Sequence, residues 1–401
     1  MSASGVRIPG RIAAKAAEAA AGFPQPIRLT PAASGYLDAT RAIAALAVLL
    51  GHWRALYFVD FGNVKAPFAG VKLLYLITGF GHQAVMIFFV LSGFFIGSSV
   101  FRKAGRDSWS WGDYAIDRGA RLYTVLIPGL LLGLLWDWLG IHFSESRGIY
   151  SHPLIPFADS IPVHGFTAAA WLGNVLFLQS RFTPVFGSNV PLWSLFNEFW
   201  YYVLFPALVT VFLCMRRGAL LKAAGAVLAA AFASWMLGAQ LSGFVVWLAG
   251  CAVALSARHL RFSARARGRL WLHIGAAGAL FSFSLWRARE STLSVGHDLA
   301  VGLSCAVLLH GILQLPLSLP AAAIRLAHTF AGFSFSLYVL HFPLLLLIRA
   351  RWLAALRWQP DLRHLLYGTP VAIGVAAYAY AVAHLTENNT AAVRAWIRRG
   401  R

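Results

Sequence analysis

Acidic residues, cysteines and charge of either sign are scarce in this chain. Its 401 residues include 14 Asp or Glu against 34 Lys or Arg, and only 12% are charged, about half the share of a typical soluble domain. With 59% hydrophobic residues and a mean hydropathy of +0.66, the chain is predicted to be an all-α, polytopic integral membrane protein. Three widely spaced cysteines, Cys214, Cys251 and Cys305, predict buried thiols rather than a disulfide framework or a metal site.

Several catalytic motifs are also absent. The chain has no G-x-S-x-G elbow, no phosphate-binding glycine-rich loop with a lysine, no H-E-x-x-H and no close pair of carboxylates like that of a glycosidase. No histidine is followed five positions later by an aspartate, and the scattered histidines predict no metal site. Without a visible repeat, second soluble domain or cleavable signal peptide, the membrane-embedded body is expected to carry the function.

Hydrophobic runs of roughly 17–25 residues are long enough to cross a bilayer. About ten such runs are predicted, at 41–58, 80–101, 121–141, 191–213, 219–238, 241–257, 270–287, 298–317, 329–348 and 365–385. The apolar segment Phe166–Leu178 is too short to span, so it is interpreted as a re-entrant or interfacial piece. It follows the longest polar loop, 142–165, which is expected on the outer side.

Basic clusters orient these spans. They fall in the segments assigned to the cytoplasm when both termini are cytoplasmic, so the net charge of +20 is assigned to topology and no nucleic-acid partner is predicted. Residues 1–35 are expected to form a flexible cytoplasmic tail and residues 388–401 a short basic one. Four arginines are predicted to face outward, where they either snorkel or bind an anionic acceptor, or else the last helices are misassigned: Arg349, Arg351, Arg357 and Arg363.

The segment Tyr36–Phe58 places two ionisable side chains in a predicted span. Arg41 and His52 are eleven positions apart, which puts them on one helix face about 16 Å apart along the axis. Ionisable groups at membrane depth are costly and are therefore candidates for function. The alternative is that His52 only makes a hydrogen bond with a neighbouring helix.

Two further segments place polar groups beside apolar runs. Ser92 and Gly93 interrupt the aromatic run at 81–97, which indicates either close helix approach or a role in binding substrate. Arg118 and Arg121 share a helix face at the cytoplasmic start of the third span. Such a pair suits phosphate recognition, although topology alone also accounts for basic residues at that position.

Two later spans carry an acid, a tyrosine and a histidine. Glu198 lies among aromatic residues about 10 Å from the outer end of its span. It is expected either to form an ion pair with a buried arginine or to act as an acid or base with His52. Tyr338 and His341 are three residues apart on one face of another span, where His341 is equally explained as a hydrogen-bonded core residue.

These segments, in this order, resemble the bacterial membrane acyltransferase-3 family, which acylates polysaccharides, lipopolysaccharide, peptidoglycan and related molecules. The family's ten-helix membrane domain would cover residues 36–387. The chain departs from the family pattern where Glu387 is followed by Asn388 and Asn389 instead of a basic residue and proline. The matching features are Leu37-Asp38, the Arg41-to-His52 spacing, FFVLSGF at Phe88–Phe94, the Arg118/Arg121 pair, LWSL-x-x-E ending at Glu198, and S-x-Y-x-x-H at Ser336–His341.

The resemblance implies an enzyme of the bacterial inner membrane that moves an acyl group, expected to be acetyl, from cytoplasmic acyl-CoA to a hydroxyl of a glycan or glycolipid. Arg41, Arg118 and Arg121 would bind the donor phosphates, while His52 and Glu198 would be catalytic. The cavity wall would include Ser92, Trp193, Ser194, Tyr338 and His341. No metal is expected. One polypeptide or a separate periplasmic transferase partner would complete the transfer.

Two other classes of protein remain open at this point. A transporter or flippase could use the same Arg, His and Glu residues as a proton relay, although the chain lacks the internal repeat and paired broken helices of many transporters. A sensor or scaffold could use them as structural ion pairs. Acyl transfer that depends on His52 would distinguish the enzyme from both.

Overall fold

Helices account for nearly all of the regular structure. The computed structural model describes residues 29–104, 109–144, 149–150, 165–259, 267–289, 294–315, 317, 319–352 and 357–400. Within these ranges the β-type contacts are two isolated bridges, Phe58 with Trp358 and Gln179 with Thr183, so the predicted all-α class is confirmed. The tail 1–28 and most of the polar loop 142–165 lie outside the described residues.

Fourteen α-helices are found in the described ranges. In chain order they are α1 (Pro31–Tyr57), α2 (Ala69–Ile77), α3 (Gly81–Ala104), α4 (Trp111–Ser144), α5 (Ala168–Val175), α6 (Trp193–Arg216), α7 (Leu220–Leu237), α8 (Leu241–His259), α9 (Arg267–Ala288), α10 (Val295–Ile312), α11 (Ala321–Gly332), α12 (Ser334–Trp352), α13 (Leu362–Leu385) and α14 (Thr390–Arg399).

Each of the ten predicted spans overlaps one long helix. Eight helical stretches among the described residues are long and apolar enough to cross a membrane. One of them, Leu221–Ala257, covers most of α7 and α8, which are joined by a tight turn at Gly238 with φ of +52°. Helix α9 is not among the eight because arginines lie at both of its ends and His273 lies within it. A membrane crossing by α9 therefore stays a prediction.

Both ends of the described chain are helical. Helix α1 begins at Pro31, inside the predicted 1–35 tail, where Thr30 accepts a hydrogen bond from the Ala33 amide as its N-cap. The basic C-terminal segment forms α14, which packs on α4 through ion pairs with Asp117 from Arg394, at 3.7 Å, and Arg398, at 2.9 Å. The predicted interfacial piece contains only the eight-residue α5, which is too short to span.

Close backbone contacts position α3 between α1 and α8. At Gly93 an added Cβ would overlap the Trp247 carbonyl of α8, which confirms the interpretation of Gly93 as a close-packing residue. At the start of α3, a Cβ on Gly51 of α1 would lie 3.3 Å from the Cα of Gly81. The predicted burial of the three cysteines is also confirmed.

Two of the four predicted outward arginines bind the end of α1. Arg349 is buried and donates to the Leu56 carbonyl, one of the acceptors that a helix C-terminus leaves unpaired. Arg357 donates to both carboxylate oxygens of Asp60, at 2.9 and 2.6 Å, and these bonds hold the pKa of Asp60 below its usual value. Both residues therefore connect the α12–α13 region to α1.

Candidate active site

A polar cavity of about 430 Å³ lies between α1, α3, α4, α6 and α12. It brings together seven of the predicted site residues, whereas His52, Trp193 and His341 are not among its lining residues. The seven are Arg41, Ser92, Arg118, Arg121, Ser194, Glu198 and Tyr338. Helices distant in sequence therefore meet around one polar space.

The three arginines line this cavity from two helices. The Arg41 guanidinium lies 4.9 Å from the ring centre of Phe95 and 3.7 Å from Asp38. Arg118 and Arg121 point from one face of α4, as their spacing predicted, and Arg121 lies 3.8 Å from a carboxylate oxygen of Glu387. Three guanidinium groups outnumber the single carboxylate that lines the cavity, so the space favours an anion.

Glu198 is held by hydroxyl groups. Its Oε1 accepts hydrogen bonds from Ser92, at 3.0 Å, and from Tyr202 one turn further along α6. The Trp247 indole in turn donates to Ser92 Oγ, at 3.1 Å. Among the described residues no arginine lies within ion-pair distance of Glu198, so the interpretation as an ion pair with a buried arginine is not supported. Its Oε2 makes no hydrogen bond with described residues and is available to a ligand in the cavity.

His52 pairs with His341, not with Glu198. The His52 Nδ1 and His341 Nε2 atoms are 2.8 Å apart, and the other ring nitrogen of His341, Nδ1, lies 2.9 Å from the Leu337 carbonyl. A carbonyl only accepts, so His341 Nδ1 carries a proton and, in a neutral ring, Nε2 accepts from His52. His52 Nδ1 is then protonated, which leaves His52 Nε2 with a free lone pair.

A short chain of side chains connects this pair with the cavity. Tyr338, which lines the cavity, lies one helical turn before His341, and the two ring centres are 6.2 Å apart. The Tyr338 hydroxyl donates to the Pro191 carbonyl at 2.9 Å and lies 2.6 Å from Ser194 Oγ. The histidine pair is therefore adjacent to the cavity wall, with His341 fully buried and His52 partly exposed.

Sequence reasoning missed the roles of Tyr202 and Glu387. Tyr202 could have been identified because it lies four residues after Glu198 on the same helix face. Glu387 Oε2 accepts from both the amide and the hydroxyl of Ser336, each at 2.9 Å. It therefore stabilises the first turn of α12, the helix that carries Tyr338 and His341, although the residues after it depart from the family pattern.

The fold and the cavity together define a multi-pass membrane protein with a cationic site between its helices. The family model described as an acyltransferase domain, that of the acyltransferase-3 family, matches residues 34–383. The chain belongs to this family and is a membrane acyltransferase, which favours the enzyme over the transporter and scaffold alternatives. No curated protein and no solved structure is significantly similar to the chain.

Proposed function

We propose that the enzyme moves an acetyl or similar short acyl group from cytoplasmic acyl-CoA to a hydroxyl of a glycan on the outer side of a bacterial inner membrane. The observation that supports this proposal best is the cavity with three arginines beside a histidine whose Nε2 is unprotonated. The first feature suits a polyphosphate donor and the second suits a general base.

The donor would bind with its phosphates at the arginine end of the cavity. Arg41, Arg118 and Arg121 lie toward the ends of α1 and α4 assigned to the cytoplasm, where charge-assisted contacts to phosphate oxygens are strong. The pantetheine arm would extend past Ser92 and Glu198 toward Tyr338, and the free Glu198 Oε2 could accept from an amide N–H of that arm. The thioester would then lie near the histidine pair.

His52 Nε2 would act as the general base. It would take the proton from the acceptor hydroxyl while the hydroxyl oxygen attacks the thioester carbonyl. The new C–O bond forms, the C–S bond breaks, and the CoA thiolate leaves and is protonated by the imidazolium. Glu198 would hold the donor rather than act directly on His52, because the structure gives the two side chains different partners.

The test is mass spectrometry of envelope glycans from matched cells that express wild type, His52→Ala or a control, His384→Ala. His384 is exposed on α13, contacts Tyr380, Asn388 and Asn389, and is not among the residues that line the cavity. Wild type and His384→Ala should add an acyl mass to the glycan, whereas His52→Ala should not. An acyl mass that is equal in all three strains, with all proteins present in the membrane, would contradict the proposal.

A further inference from the structure

A second group of polar and aromatic side chains lies where three helices begin. His82 of α3 and Asp298 of α10 form a hydrogen-bonded pair with Nε2 and Oδ1 2.9 Å apart. The His82 ring is nearly parallel to the Trp193 indole at the start of α6, with an interplanar angle of 18° and ring centres 6.0 Å apart. The paired side chains are 28% and 25% exposed, so this group is accessible.

The group is continuous with the active site. His82 lies on the same face of α3 as the cavity residues Val85, Phe89 and Ser92, because it precedes them by three, seven and ten positions. It is about 15 Å along the helix from Ser92, toward the predicted outer side. The close approach of Gly51 and Gly81 also places His52 and His82 at a similar depth, since each follows one of these glycines.

The chemistry of the group fits a hydroxyl-rich ring. We propose that His82, Trp193 and Asp298 form a subsite that binds one sugar residue of the acceptor, an assignment that rests on the proposed function. Asp298 Oδ2 makes no hydrogen bond with described residues and can accept from a hydroxyl, while the indole offers an apolar surface for the ring. A purely structural role explains the pair less well, because a side-chain pair that is partly exposed contributes little to stability.

The experiment measures transfer by detergent-solubilised enzyme, so that both faces are accessible. The donor is radiolabelled acetyl-CoA, and the acceptor is unfractionated oligosaccharide released from the envelope of the expressing cells. The variants are Asp298→Asn, Trp193→Ala and Trp193→Phe. The matched control is Asp361→Asn, because Asp361 forms a similar pair with His364, at 2.8 Å, in the first turn of α13 and away from the cavity.

Asp298→Asn should raise the apparent KM for the oligosaccharide roughly ten- to hundredfold, the range expected when hydrogen bonds to a charged group are lost. Trp193→Ala should also raise this KM, because it removes the apolar surface against which the sugar ring packs. The KM for acetyl-CoA and acceptor-independent CoA release should not change. The oligosaccharide KM of Trp193→Phe should stay within about threefold of the wild-type value because this variant keeps an aromatic ring. The oligosaccharide KM of Asp361→Asn should equal that of wild type.

The outcomes separate the subsite from the proposed function. If wild type transfers no label to oligosaccharide, the proposed function fails and the subsite fails with it. If wild type transfers label while Asp298→Asn and Trp193→Ala keep the wild-type acceptor KM, only the subsite is overturned. A parallel rise of donor and acceptor KM would indicate a structural role and would also overturn it.

Discussion

Replacing His341 tests whether it sets the protonation of His52. In His341→Leu the His52 Nδ1–H loses its acceptor inside the protein, and a buried unpaired donor costs about 1–3 kcal/mol. The ring can avoid that cost by moving its proton to Nε2 or by rotating away, and either change removes the base from the reacting hydroxyl. We therefore expect kcat to fall roughly ten- to hundredfold, with the donor KM unchanged because His341 does not line the arginine cavity.

The matched variant is His341→Gln, whose amide oxygen can accept from His52 Nδ1–H. It should keep more of the wild-type kcat than His341→Leu does. The assay is steady-state acyl transfer at saturating donor, with thermal unfolding of each purified variant to confirm that both are folded. Wild-type kcat in His341→Leu would refute the assignment, and equal loss in a folded Leu and Gln variant would show that accepting the His52 proton is not what His341 contributes.

Three further predictions concern the donor site, the packing of α3 on α8, and the pH dependence of the Asp60–Arg357 pair. Arg41→Lys keeps the charge but loses the planar guanidinium, so the donor KM should rise about tenfold in steady-state assays, and an unchanged KM would exclude a phosphate contact. Gly93→Ala should lower stability by about 1–3 kcal/mol in thermal unfolding because its methyl group would overlap the backbone of α8. Gly374→Ala on α13, where a Cβ has open space, is the control, and equal melting temperatures would contradict the packing argument. The pKa of Asp60 is lowered in the folded protein by Arg357, so this pair should stabilise the fold above about pH 4 and stop doing so as the pH falls below it. When the pH falls from 5 to 3, the melting temperature of Asp60→Asn should therefore decrease less than that of wild type. An identical decrease in both proteins would argue against a stabilising pair.

The outward arginines show how a structural role can resemble a binding site in sequence. The positive-inside rule predicts few basic residues in outer loops, so four arginines predicted on that side suggested a binding site for an anionic acceptor. Arg349 and Arg357 instead bind the last turn of α1 and Asp60, and the Arg363 guanidinium lies over the Tyr367 ring. The His82, Trp193 and Asp298 group is therefore the better candidate for acceptor recognition, because it continues the cavity face of α3.

Local patterns were sufficient to predict the helices and most of the polar residues that line the cavity. Long apolar runs define the spans because a bilayer requires about 20 such residues. Helical periodicity placed Arg118 and Arg121 on one face, and both line the cavity. The family resemblance, carried by short motifs around Arg41, Ser92, Glu198 and His341, agrees with the family match over residues 34–383.

Only the tertiary structure decided which side chains form hydrogen bonds with one another. His52 and His341 are 289 residues apart and Ser92 and Glu198 are 106 apart, and no local pattern specifies which faces of distant helices meet. The partner of Glu387 depended in the same way on how α13 ends beside the start of α12. The sequence determined which polar groups lie in the membrane-embedded body. Because burying such groups costs free energy, those that are present are candidates for function. Helix packing determined which of them share a hydrogen bond, and with it the nitrogen of His52 that is free to act as a base.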